Sequence, residues 1–151
     1  MTGPVPVIYR EPERAARIAL IAESYARLLG QPLTGEASDV LAALWASPLA
    51  IVAHGTETDP IFFFGNAAAL TAFETDVEAF TRIPSRLSAE APLREERQAL
   101  LDRVTANGFI DDYAGVRISA KGKRFHIGPA VVWNLADAEG RRHGQAACFA
   151  P

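Results

Sequence analysis

The hydrophobic period of this chain changes at Pro48, and that change limits the folds open to it. Before Pro48, Ile18, Ile21, Tyr25, Leu28 and Leu29 recur at three- and four-residue steps, which predicts one helical stripe. Pro12 suits the first turn of that helix and Gly30 its exit, while Arg14, Arg17, Glu23 and Arg27 fall on the other face. A shorter helix is predicted from Ser38 as N-cap to about Ala46, with Val40, Leu41, Leu44 and Trp45 facing inward. Beyond Pro48 the apolar residues form short runs instead. Leu49 to His54 and Ile61 to Gly65 flank the polar segment Gly-Thr-Glu-Thr-Asp-Pro, which reads as a hairpin.

Asn66 then reads as the N-cap of a short helix from Ala67 to Phe73, and the segment from Thr81 to Pro92 as a loop. Pro92 and Gly108 bracket a longer helix whose buried stripe is Leu93, Leu100, Leu101 and Val104. The last third predicts three strands, Phe109 to Ser119, Lys123 to Leu135 and Gly144 to Phe149, joined by turn-like segments. In the middle one Phe125, Ile127, Val131, Trp133 and Leu135 share a parity and are expected on one face. Two strands, a helical insert and a three-strand meander predict an α+β domain. Its expected core is a five-stranded antiparallel sheet with helices on one face, preceded by N-terminal helices. Residues 1–47 form the helical lead and residues 48–151 one compact unit.

Composition sets the function classes. With 151 residues, 49% of them hydrophobic, the chain can bury one sizeable core. A net charge of −3 argues against a nucleic-acid or anionic-membrane surface as the main business. Cys148 is the single cysteine, so no intrachain disulfide forms. No signal peptide or membrane-spanning run is present in these residues, and a cytoplasmic location is expected. Lysine occurs only at Lys121 and Lys123 while Arg and Ala are abundant, which suggests a GC-rich bacterial genome.

Catalytic and metal motifs do not assemble. His54, His126 and His143 lie on separate segments without ligand spacing, which argues against a metal site. There is no Gly-x-Ser-x-Gly elbow around Ser85 or Ser88 and no glycine-rich phosphate cradle. Asp59, Asn66, Ser85, Arg86, Glu90, Arg97, Arg117 and Arg124 instead form a polar set. Arg86 or Arg117 meets a carboxylate-bearing metabolite over the sheet in one reading. In the other, Asp59 or Glu90 pairs with Arg86 as an internal brace. The apolar set Phe63, Leu70, Phe73, Phe80, Val131 and Trp133 serves as core first and as pocket wall second.

Several segments carry a family resemblance. They are Thr58-Asp59-Pro60-Ile61-Phe62, Gly65-Asn66-Ala67-Ala68-Ala69-Leu70 and Pro84-Ser85-Arg86-Leu87-Ser88-Ala89-Glu90, followed by Gly115-Val116-Arg117-Ile118-Ser119, Gly122-Lys123-Arg124-Phe125, Trp133-Asn134 and Gly144-Gln145-Ala146-Ala147. From about Ile18 to Phe149 the chain resembles the MEKHLA domain family. That family is PAS-like and occurs as stand-alone bacterial proteins and at the C-terminus of class III homeodomain–leucine zipper plant regulators. The stand-alone bacterial type is expected here. Two positions depart from the family, which carries Tyr where Phe64 stands and Trp near Val77.

The resemblance implies a PAS-like sensory domain that binds a small molecule between sheet and helices and signals through a homodimer or a partner. It supplies no catalytic residues, so binding rather than catalysis is expected. An interaction module with a filled interior and a small-molecule enzyme are the alternatives. Flavin is the cofactor that the resemblance leaves open: related light-sensing domains bond its ring with a glutamine on the last strand, where Gln145 stands. Gln145 otherwise satisfies backbone or loop groups. Haem-binding relatives use a helical histidine, which the two insert helices lack, and photochemical adducts need a helical cysteine, whereas Cys148 is on a strand. The candidate ligand contacts are Phe63, Asn66, Leu70, Phe73, Arg86, Arg117, Trp133 and Gln145. The N-terminal helix either mediates a dimer or packs on its own domain.

Overall fold

A computed structural model describes residues 3–35, 37–89 and 91–151, with the side chains of residues 91–94 and 97 outside that description. Glu90 and the side chains of Leu93 and Arg97, singled out above, therefore lie outside the described residues. The strands are β1 (Ala50–His54), β2 (Phe62–Gly65), β3 (Phe109–Ile118), β4 (Arg124–Ala136) and β5 (Arg142–Phe149). They form one antiparallel sheet in the order β2-β1-β5-β4-β3. The helices are α1 (Pro12–Leu29), α2 (Val40–Ala46), α3 (Ala67–Ala72), α4 (Val77–Phe80) and α5 (Ala91–Asn107). The α+β sheet fold read from the sequence is the one observed.

Local chemistry accounts for the helix ends. Pro12 opens α1, and Gly30 closes it in the left-handed conformation with φ 74°. The N-cap of α2 is Asp39 rather than Ser38. Its carboxylate accepts from Ala42 N at 3.1 Å and also pairs with Arg10, which ties the helix start to the preceding 3-10 turn Val7–Arg10. Asp76 caps α4 in the same way, from Ala79 N at 2.8 Å, so the stretch around Thr81 is less loop-like than its composition suggests. The 3-10 turn Ser85–Ser88 follows it.

α3, α4 and α5 cover one face of the sheet, and α1 lies against the other. The indole of Trp133 donates to the carbonyl of Ile21 at 3.1 Å, and its ring meets Tyr25 edge-on at 5.0 Å. Ser24 exchanges hydrogen bonds with the backbone of Ala136. The next residue along β4, Asn134, points the opposite way and donates to Val104 of α5 at 3.1 Å. The N-terminal helix thus packs on its own domain and completes the core.

The expected single parity of β4 does not hold. Gly115 and Tyr113 of β3, two residues apart, pair with Ile127 and Ala130, three apart. The extra residue in β4 exchanges its faces from there on. Ile127 and Val132 face α5, whereas Trp133 and Leu135 face α1. The β1–β5 pairing depends on Gly144, whose φ is 139° and where an added Cβ would collide with the carbonyl of His54.

Candidate functional site

A cavity of about 50 Å³ lies between α5 and the sheet. Its apolar wall includes Leu101 and Val104 from α5, Val132 from β4 and Phe149 from β5. Phe62 and Phe73 close it on the side of α3. Polar groups edge it: His54 on β1, Ser88, Tyr113 and Arg117 on β3, and Gln145 on β5. Phe62, Phe73 and Ser88 also line an open cleft of about 630 Å³, bounded by Phe80, Ile83, Leu87 and the β3–β4 turn. Phe62 stacks on Phe80 at 4.3 Å, and Phe73 meets Phe125 edge-on at 5.1 Å. These rings partition the internal cavity from the surface cleft.

Gln145 is 2% exposed, and its amide nitrogen is well supplied. That group donates to Asn134 Oδ1 at 3.0 Å, and to Leu101 O and Thr105 Oγ1 at 3.3 Å each. Its carbonyl oxygen, Oε1, is buried and has no partner. Such orphaned acceptors are uncommon in folded proteins, because desolvation without a hydrogen bond costs about 1–3 kcal/mol. The nitrogen satisfies a backbone carbonyl and a hydroxyl of α5 and a side-chain amide of β4, where the sequence reading had backbone or loop groups; the oxygen is left to something else.

Arg117 stands at the other end of the polar edge. Its guanidinium lies 5.0 Å from the centre of the Tyr113 ring, and Nη1 donates to the carbonyl of Val116 at 3.2 Å. No carboxylate among the described residues pairs with it. Burial pulls the Arg117 guanidinium below its usual value, although the neighbouring Tyr113 opposes this.

The other expected contacts are placed elsewhere. Arg86 is half-exposed and donates to both carboxylate oxygens of Asp59 at 3.1 Å, the brace and not the clamp. Asn66 is fully buried but is consumed by structure, as described below. Phe63 turns to the α1 side of β2, where Arg17 stacks over its ring at 4.2 Å. Trp133 faces α1 because of the β4 slip, and Leu70 borders a shallow surface site near Glu74 and Lys121. Phe73, Arg117 and Gln145 alone of the expected set line the cavity. Leu101 and Val104 were legible as part of a helical stripe; His54, Tyr113 and Val132 had no sequence signal pointing to a cavity.

The MEKHLA domain model matches residues 15–151. The chain belongs to the MEKHLA domain family. This MEKHLA chain is 27% identical over 142 residues to the homeobox-leucine zipper protein HOX10 of Oryza sativa subsp. japonica. It is 26% identical over 144 residues to the homeobox-leucine zipper protein REVOLUTA of Arabidopsis thaliana. The matches cover 91% and 92% of the chain but only 17% of each relative. These are plant proteins, so the expected stand-alone bacterial type is not supported.

Solved structures share the fold of this MEKHLA domain. The PAS domain of a Colwellia psychrerythraea protein superposes with a TM-score of 0.60 at 14% identity, over 71% of this chain and 88% of that one. The photo-excited blue-light photoreceptor Vivid gives 0.58 at 11%, over 85% and 92%. An RNA-binding light-oxygen-voltage receptor gives 0.61 at 14%, over 79% and 35%. The fold is thus that of PAS and light-oxygen-voltage domains. No helix among the described residues is long and apolar enough to cross a membrane.

The residues of this MEKHLA domain do not fit a flavin. The cavity of about 50 Å³ is far below the roughly 300–1,000 Å³ of cofactor and drug-sized sites. Cys148 does not line the cavity, and burial pushes its thiol up to about 11, away from thiolate chemistry near neutral pH. Among the described residues no group of three or more His, Cys, Asp or Glu side chains could hold a metal ion.

Proposed function

We propose that this MEKHLA domain is a sensory module that admits a small, mostly apolar molecule between the sheet and α5 and works by binding rather than by catalysis. The observation that carries this reading is the orphaned Oε1 of Gln145, a residue that lines a mostly apolar cavity. A ligand N–H or O–H would satisfy it. Of the contacts expected from sequence, Phe73, Arg117 and Gln145 remain the proposed ones, joined by Leu101, Val104 and Val132. α5 is the element that would report occupancy, since Gln145 and Asn134 hold its carbonyls at Leu101 and Val104. Movement of α5 would then alter a homodimer or partner surface.

The test is an NMR titration with 1-propanol. Cavity amides such as Val132 and Val104 should shift saturably, and Gln145→Leu should weaken binding by about tenfold through loss of one hydrogen bond to a buried acceptor. No saturable shift would sink the reading. The small cavity volume favours a second reading, a ligand-free interaction module whose interior is filled by its own side chains. Sedimentation discriminates: a dimer that forms with no small molecule in the extracted protein supports the module.

A further inference from the structure

The cavity has a charged group on its edge besides the Gln145 amide. Arg117 places a guanidinium at the edge of an apolar space, over the ring of Tyr113. Its hydrogen bond to the Val116 carbonyl and its contact with the Tyr113 side chain leave most of its five N–H donors unused, and no described carboxylate neutralises it. The contrast within the molecule is direct. Arg86 has Asp59, Arg10 has Asp39 and Arg103 faces Asp112, all at the surface where water would have sufficed. Arg117 is more enclosed than these three, and among the described residues it has no counter-ion. A cation at an apolar boundary is unfavourable unless an anion meets it.

We infer that the cavity takes a short-chain monocarboxylic acid, with its carboxylate against Arg117 and Tyr113 and its carbon chain inside. This rests on the ligand-binding reading above and names the chemical class. The planar fork of a guanidinium matches a carboxylate in two parallel hydrogen bonds. One such fork lies on the cavity edge, which selects a mono- over a dicarboxylate. Volume sets the chain length. A cavity of ~150 Å³ accepts the six carbons of benzene, so about 50 Å³ accommodates about two carbons beyond the headgroup. Propionate is the acid of that size.

The experiment compares sodium propionate, 1-propanol and sodium hexanoate at constant ionic strength, following the amides of Tyr113, Ile127 and Val132 by NMR. Propionate should bind about tenfold more tightly than 1-propanol, the margin expected of a charge-assisted pair over a neutral one. Arg117→Gln should bring that ratio to about one, and Arg117→Lys, which keeps the charge but not the fork, should leave an intermediate ratio. A dispersed amide spectrum shows that each variant is folded. Equal binding of propionate and 1-propanol to the unaltered protein overturns the carboxylate inference and leaves the ligand-binding reading standing. Hexanoate binding more tightly than propionate overturns the chain-length assignment. Cavity amides that move with none of the three compounds overturn both the inference and the reading beneath it.

Discussion

The phenol of Tyr9 donates to the carbonyl of Gly65 at 2.9 Å and accepts from the amide of the same residue at 3.0 Å. β2 is an edge strand, and its outward backbone groups would otherwise be open to another chain. Tyr9 covers Gly65, Arg14 donates to the carbonyl of Phe63, and the amide of Phe62 donates to Ile83. The segment before β1, together with Ile83, therefore covers this edge of the sheet.

Replacing Tyr9 by Phe removes both bonds while keeping the ring against Phe64, 4.8 Å away. Two buried backbone groups lose their partner, and urea unfolding should show a loss of about 1–3 kcal/mol. Alkali provides a second readout. Burial pushes the Tyr9 phenol from 10.0 up to about 12, so between those pH values the unfolded chain ionises and the folded one does not. Stability is therefore full below pH 10 and falls as pH rises through about 12, by about 2–3 kcal/mol. Tyr9→Phe should lack that decline; a variant that keeps it shows another group at work.

Asn66 uses both faces of its amide. Oδ1 accepts from Ile51 N at 2.9 Å and from Ala69 N at 3.0 Å, while Nδ2 donates to Leu44 O at 3.0 Å and Leu49 O at 2.8 Å. One side chain caps α3 and joins α2, β1 and β2. Asn66→Ala should destabilise the domain by about 3–4 kcal/mol in denaturant titrations, since a lost cap and several unsatisfied buried groups add together. A loss below about 1 kcal/mol would mean that water replaces the amide.

Cys148 is buried, and its thiol is raised from 9.0 to about 11 by desolvation. Alkylation by iodoacetamide at pH 7.5 should be slower in the native protein than in urea, by up to about the hundredfold drop in thiolate fraction that a two-unit rise in thiol pKa implies. Mass spectrometry of quenched samples measures both rates. Equal rates would place the thiol in open contact with solvent.

The β4–β5 hairpin is pinned by Asp137. Its carboxylate takes His143 Nε2 at 2.9 Å and the amides of Glu139 at 3.0 Å and Arg141 at 2.9 Å. These partners, His143 first, hold the Asp137 carboxyl below its usual value. A lowered carboxyl contributes stability that is present above the unfolded value near 3.8 and is lost as pH falls below it. Asp137→Asn should flatten the acid limb of the stability profile and speed amide exchange at Glu139 and Arg141. An unchanged limb would assign acid sensitivity to Asp39, whose carboxyl Arg10 lowers in the same sense.

Local sequence determined the elements and their order. Pro12 and Gly30 bound α1, Asn66 caps α3, and the change of period at Pro48 separates helices from strands, because each signal acts within one or two turns of its own residue. Tertiary structure decided which side of the sheet each side chain meets. Trp133 shares a parity with Phe125 in the sequence, yet one residue slips in β4 between Ile127 and Ala130, and Trp133 turns to α1. The assignment of counter-ions was equally non-local: Arg86 finds Asp59 across 27 residues, while Arg117 finds none among the described residues. A strand's alternation is a property of its own backbone, but its register belongs to the pair, and a single extra residue in β4 exchanges core for cavity.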